Sequence, residues 1–149
     1  MPRHRLLLLA VLVSFGFAPA PLPRVSRDGP RTDLDRMQGV WVVVDNRVSG
    51  IEMTPNKGAT VQVRRNRWTF IDKHDSESRS HWDLQLNPSA TPPQIDFEGV
   101  EGSTSSRGVY RLEGDTLTIS YNYVHDRGGR PTAIDRERNG YVVVKRIGR

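Results

Sequence analysis

The chain has 149 residues, no cysteine and a formal charge of +5, with 26% charged and 36% hydrophobic residues. That length fits one domain with a leader. The missing cysteine excludes disulfides, thiolate metal sites, a cysteine nucleophile and a lipid-bearing cysteine, so stability has to come from packing and sheet closure.

The first residues have the layout of a signal peptide over residues 1–20. Arg3 and Arg5 precede an apolar run, Leu6–Ala18, and Ala18-Pro19-Ala20 supplies small residues for cleavage. The run is shorter than the roughly 20 apolar residues a membrane span requires. Export is therefore expected (periplasmic, cell-surface or extracellular), with no transmembrane span in the mature domain. Pro21 disfavours a cut directly before it, which leaves a shifted cut or an uncleaved anchor open. Residues 21–31, PLPRVSRDGPR, read as a flexible Pro/Arg-rich linker. Beyond Ala20 the balance is 22 basic residues less Arg3 and Arg5, against 17 acidic, a mild +3. Arg far outnumbers Lys, which reads as GC-rich coding rather than phosphate recognition.

The domain proper is expected over residues 32–149. Thr32 or Asp33 caps a short helical turn, Leu34 and Met37 share its face, and Gly39 ends it. A strand follows over Val40–Val48, then a Pro- and Gly-bearing turn region, Gly50–Gly58. Ala59–Arg64 and Arg67–Asp72 make a hairpin about Arg65-Asn66 that pairs Val63 with Trp68 and Val61 with Phe70. Arg79–Leu86 alternates with Trp82, Leu84 and Leu86 inward, and Gln94–Glu98 directs Ile95 and Phe97 inward. In Gly108–Tyr123 a fold at Glu113-Gly114-Asp115 sets Leu112 opposite Leu117 and Tyr110 opposite Ile119. The same register sends Arg111, Thr118 and Ser120 to the wet face. A polar loop, Val124–Pro131, and a last strand, Gly140–Arg146, complete the chain. About eight short strands behind one short helix predict an all-β fold, an antiparallel up-and-down barrel. Such a barrel is either filled by side chains or holds one small ligand.

Gly39-Val40-Trp41, after a short helix and at the start of a first strand, resembles the lipocalin and wider calycin signature. Five stretches also resemble a family of exported domains expanded in planctomycetes. They are Asp33-Leu34 through Trp41, Thr91–Asp96, Gly108–Leu117, Arg130-Pro131-Thr132 and Val143–Arg146. The sequence departs from that family at Ser120-Tyr121, Arg65-Asn66 and Ala133-Ile134. The resemblance implies a lipocalin-like barrel with Gly39, Trp41 and Arg146 as structural signature, and it transfers no active site. It places Trp41 at a closed barrel end under the helix, with Arg146 or Lys145 near its ring.

The candidate chemistry is sparse. Trp41, Trp68 and Trp82 point inward, and core packing is the plainer account of them. The sharper account is an aromatic-lined cavity, with Trp68, Trp82 and Tyr121 on its wall and its mouth opposite Trp41. His81 and Asp83, two apart on a strand, share a face that could take a metal, but the alternation makes it a solvated face. Arg64, Arg65 and Arg67 crowd one turn, yet Trp68 and Phe70 lie on the other face, so no nucleic-acid partner is expected. No catalytic, cofactor or metal signature appears. The expected function is non-catalytic binding of a small apolar ligand or a protein partner. A secreted hydrolase or metal-dependent enzyme using His81, Asp83 and His125, and a structural envelope module, are the alternatives.

Overall fold

Thr32 opens a reciprocal cap: its hydroxyl accepts from the Asp35 N–H at 3.1 Å, and the Asp35 carboxylate accepts from the Thr32 N–H at 3.0 Å. The cap starts a five-residue helix, α1 (Asp33–Met37), too short to persist without tertiary packing. It packs through Met37, which is fully buried. The computed structural model describes residues 31–148; the expected signal peptide (1–20) and all of the expected linker except Arg31 lie outside the described residues. No helix among the described residues is long and apolar enough to cross a membrane.

Nine strands follow: β1 (Gly39–Val48), β2 (Ile51–Glu52), β3 (Thr60–Arg64), β4 (Arg67–Ile71), β5 (Arg79–Asn87), β6 (Gln94–Val100), β7 (Ser106–Glu113), β8 (Thr116–Tyr123) and β9 (Gly140–Gly148). From β3 to β9 each pairs antiparallel with the next, β3 pairs with β1, and β1 with β9 closes the circle. The protein is thus a closed eight-stranded up-and-down antiparallel barrel, with no free edge among the eight. The two-residue β2 is a ninth strand, turned back on the far end of β1 through Ser49 and Gly50, both at positive φ.

The registers expected for the hairpins are present: Val63 faces Trp68, Val61 faces Phe70, Tyr110 faces Ile119 and Leu112 faces Leu117. Inward side chains from all eight barrel strands make one core that includes Trp41, Val63, Ile95, Leu117, Ile119 and Val144. Each side chain of this size buried there contributes about 1.5–3 kcal/mol.

The Gly50–Gly58 region is mostly turn, as expected, with the short β2 and a 3-10 turn, Thr54–Asn56, inside it. Two expectations need correction. The sixth strand runs on to Val100 instead of ending at Glu98. Thr118 and Ser120, expected on the wet face, are buried, although their neighbour Arg111 is exposed. The connection between β8 and β9 crosses the outside of β7 and β8 and covers them. Ser120 holds it by accepting from the Asp135 N–H at 2.8 Å and donating to the Asp135 carbonyl at 3.1 Å. Arg130 pins its other end through a bidentate pair with Asp96 at 2.5 and 2.9 Å and a bond to the Gly108 carbonyl at 2.9 Å. A small hydroxyl on an outer face reads as solvated from alternation alone, but it equally serves a covering loop.

Two bulges break the β1–β9 ladder, between Val40 and Trp41 and between Val43 and Asp45. In the first, Ile147 is the extra residue, which leaves it 63% exposed and keeps Arg146 opposite Trp41. In the second, Val44 is extra, and the strand's inward series passes from Trp41 and Val43 to Asn46 instead of Asp45.

Candidate ligand cavity

One end of the barrel is sealed by α1. Trp41, fully buried, donates from its indole nitrogen to the Met37 carbonyl at 2.9 Å. The Arg146 guanidinium stands 4.0 Å from the Trp41 ring centroid and donates to the carbonyls of Arg36 and Gln38, which the helix end leaves free. Arg146 also meets Asp115 at 2.8 Å. Of the two cations expected near Trp41, it is Arg146 that takes the place; Lys145 is exposed. Gln38 ties the plug to the β3–β4 turn, donating to the Arg65 carbonyl and accepting from the Arg65 N–H, both at 2.7 Å. The Tyr110 hydroxyl donates to Asp33 at 2.6 Å. Burial, together with that bond and the Asp33 charge, pushes the Tyr110 hydroxyl well above the usual tyrosine range.

These contacts, with the Arg130–Asp96 pair, join stretches far apart in the chain. Asp33 meets Tyr110, Asp96 meets Arg130, and Trp41 meets Arg146. They are the fasteners of plug, cover and barrel.

The end of the barrel away from Trp41 opens into a recess. A cavity of about 260 Å³ lies among the inner faces of the strands. Trp68, Trp82 and Tyr121 all line it. Trp68 stands edge-on to Phe97 at 5.4 Å, and the Trp82 indole nitrogen donates to the Thr104 carbonyl at 3.0 Å. Tyr121 packs edge-on to Tyr123 at 5.7 Å, and Tyr123 stacks on His125. Gly140 makes room for the Tyr121 side chain, since a Cβ there would sit 2.5 Å from its ring, while at Gly108 a Cβ would meet the Ser120 carbonyl oxygen at 2.5 Å. Burial first, and the neighbouring Tyr123 second, raise the Tyr121 hydroxyl far above the usual range. Partly exposed Asn56, Phe70 and Ser80 and exposed Thr104 border the mouth at the end opposite Trp41.

Sequence reasoning missed the polar part of this wall. Asn46 and Ser106 line the cavity at 9% and 6% exposure. Asn46 reaches it only through the bulge at Val44. Phe70 and Tyr123, by contrast, were readable from their alternation with Trp68 and Tyr121.

The residues of the enzyme alternative are engaged elsewhere. His81 Nδ1 lies 3.1 Å from the Thr69 hydroxyl, Asp83 pairs with Arg67 at 2.6 Å, and exposed His125 sits on Tyr123. Among the described residues no three His, Cys, Asp or Glu side chains converge as a metal site would need. The Arg67–Asp83 pair also relieves the like charges of Arg64 and Arg67, which stand directly opposite.

No family model, curated protein or solved structure matches the chain.

Proposed function

We propose that the protein is an exported, non-catalytic, lipocalin-like carrier that binds a small, mainly apolar ligand inside the barrel. The observation that carries this reading is the aromatic-walled cavity of about 260 Å³ at the end away from the plug. A barrel whose interior is only a core has no reason to leave Trp82 and Tyr121 around open space, because close packing of those rings would contribute more. Concave, largely apolar sites with a few polar groups are the usual form of small-molecule pockets, and barrel mouths are frequent places for them. The leader-like run Leu6–Ala18 supports export, and the Gly39, Trp41 and Arg146 arrangement supports the lipocalin likeness.

Titration of the tryptophan emission with a panel of apolar probes tests the reading. The panel should span single-ring aromatics, naphthalene derivatives, fatty acids, a retinoid and a hydrophobic dye. Saturable quenching is expected for at least one probe, weakened by Trp82→Ala and blocked by Ser80→Phe at the mouth. A spectrum unresponsive to every probe would end the carrier reading.

A further inference from the structure

From the cavity wall, and resting on the carrier reading, we infer that the ligand is an uncharged aromatic of one or two rings bearing a hydrogen-bonding group. Fourteen residues line the cavity, and none is Asp, Glu, Lys, Arg or His. A charged group taken inside would lose its water without gaining a counter-ion, so a ligand whose charge must be buried there is disfavoured. The chain keeps its nearby carboxylate outside: Asp45, next to Asn46, binds Arg136 through two bonds at 2.9 and 3.1 Å.

Polarity inside comes from neutral groups. The Asn46 backbone carbonyl accepts from the Met53 N–H at 2.7 Å, while its side-chain amide has no protein partner among the described residues. The Ser106 hydroxyl is likewise unpartnered there. Both residues line the cavity, and no side-chain nitrogen or oxygen among the described residues is sealed off without a partner. An amide both donates and accepts, which suits a hydroxyl, carbonyl or ring N–H on the ligand.

Size narrows the class further. A cavity of about 150 Å³ holds benzene, and this one, about 260 Å³ and open at its mouth, has room for a second ring. The Trp68, Trp82, Phe97 and Tyr121 rings offer faces and edges to a flat partner.

The test is calorimetric titration of the full chain at neutral pH with 2-naphthol, naphthalene and 2-naphthoate, and with palmitate as a long-chain control. 2-Naphthol should bind best, with 2-naphthoate weaker by more than about tenfold, the size of effect that a buried unpaired charge easily exceeds. Asn46→Leu should weaken 2-naphthol about tenfold, the scale of one buried hydrogen bond, and leave naphthalene unchanged or tighter. Asn46→Asp, nearly isosteric, should instead admit naphthylmethylammonium, which the wild type rejects. Naphthoate binding within about threefold of 2-naphthol, or 2-naphthol binding indifferent to both Asn46 variants, would overturn the inference. Palmitate binding without 2-naphthol binding would also overturn it while sparing the carrier reading. No binding by any of these probes would overturn the inference, and the carrier reading would then stand or fall on the wider fluorescence panel.

Discussion

Replacing Arg146 by methionine keeps the apolar stem and removes only the guanidinium, which isolates what that group does at the sealed end. The side chain is 9% exposed and its guanidinium stands 4.0 Å from the Trp41 ring, so the cation–π contact is largely desolvated and contributes about 1–2 kcal/mol. Its bond to the partly buried Gln38 carbonyl comes from a charged donor and adds about 1.5–3 kcal/mol. The Arg36 carbonyl is exposed enough for water to replace the lost bond. Asp115 is 70% exposed, so that ion pair adds only about 0–1 kcal/mol. These terms overlap in one network and are not additive, and the expected loss for Arg146→Met is about 2–4 kcal/mol. In a domain of this size that corresponds to a fall in Tm of about 4 °C per kcal/mol. Urea melts followed by circular dichroism would measure it, with Arg146→Lys and Asp115→Asn in parallel. Lysine should recover less than half, because a point charge cannot serve the ring and two carbonyls together. Asp115→Asn should lose under about 1 kcal/mol. A loss below about 1 kcal/mol for Arg146→Met, or an equal loss for Asp115→Asn, would show that the plug does not depend on the guanidinium.

Two further outcomes are expected. Gly140→Ala puts a Cβ 2.5 Å from the Tyr121 ring, so it should cost about 1–3 kcal/mol in a urea melt and weaken any cavity ligand by displacing that ring. An unchanged melt and unchanged titration would show that the ring is free to move. The second outcome is alkaline lability: the raised Tyr110 and Tyr121 hydroxyls stay protonated in the fold while unfolded tyrosine ionises near pH 10. Above that pH the unfolded state binds fewer protons, so their stabilising contribution, complete below about pH 10, declines as pH rises. Tyr121→Phe should flatten that decline in melts taken across the alkaline range, and an identical slope would place Tyr121 in contact with solvent.

Much of the barrel could be read locally because its information is local. The period-two alternation in Arg67–Ile71 and Thr116–Tyr123, with short turns between partners, sets which side chains share a face, and a one-residue slip would expose all of them together. Trp68, Trp82 and Tyr121 were therefore identifiable as inward residues. Whether they enclose space or fill it was not, because that depends on how eight strands curve around one another and on glycines such as Gly140 that adjoin Tyr121 only after β8 and β9 pair.

The sequence alone determined the roughly eight barrel strands, the two hairpin registers and the capped helix. Each follows from periodicity or from turn and cap chemistry acting over a few residues. The tertiary structure decided the rest. Ser120 is buried where a loop crosses it that Arg130 pins to Asp96, a contact between residues 34 positions apart. Alternation along Val40–Val48 would carry the inward series from Val43 to Asp45. The extra residue at Val44, visible only in the pairing with β9, turns Asp45 out toward Arg136 and Asn46 in. A bulge is set by the ladder and not by the strand that carries it, and this one gives the cavity an amide where the bare pattern of the chain would have put a carboxylate.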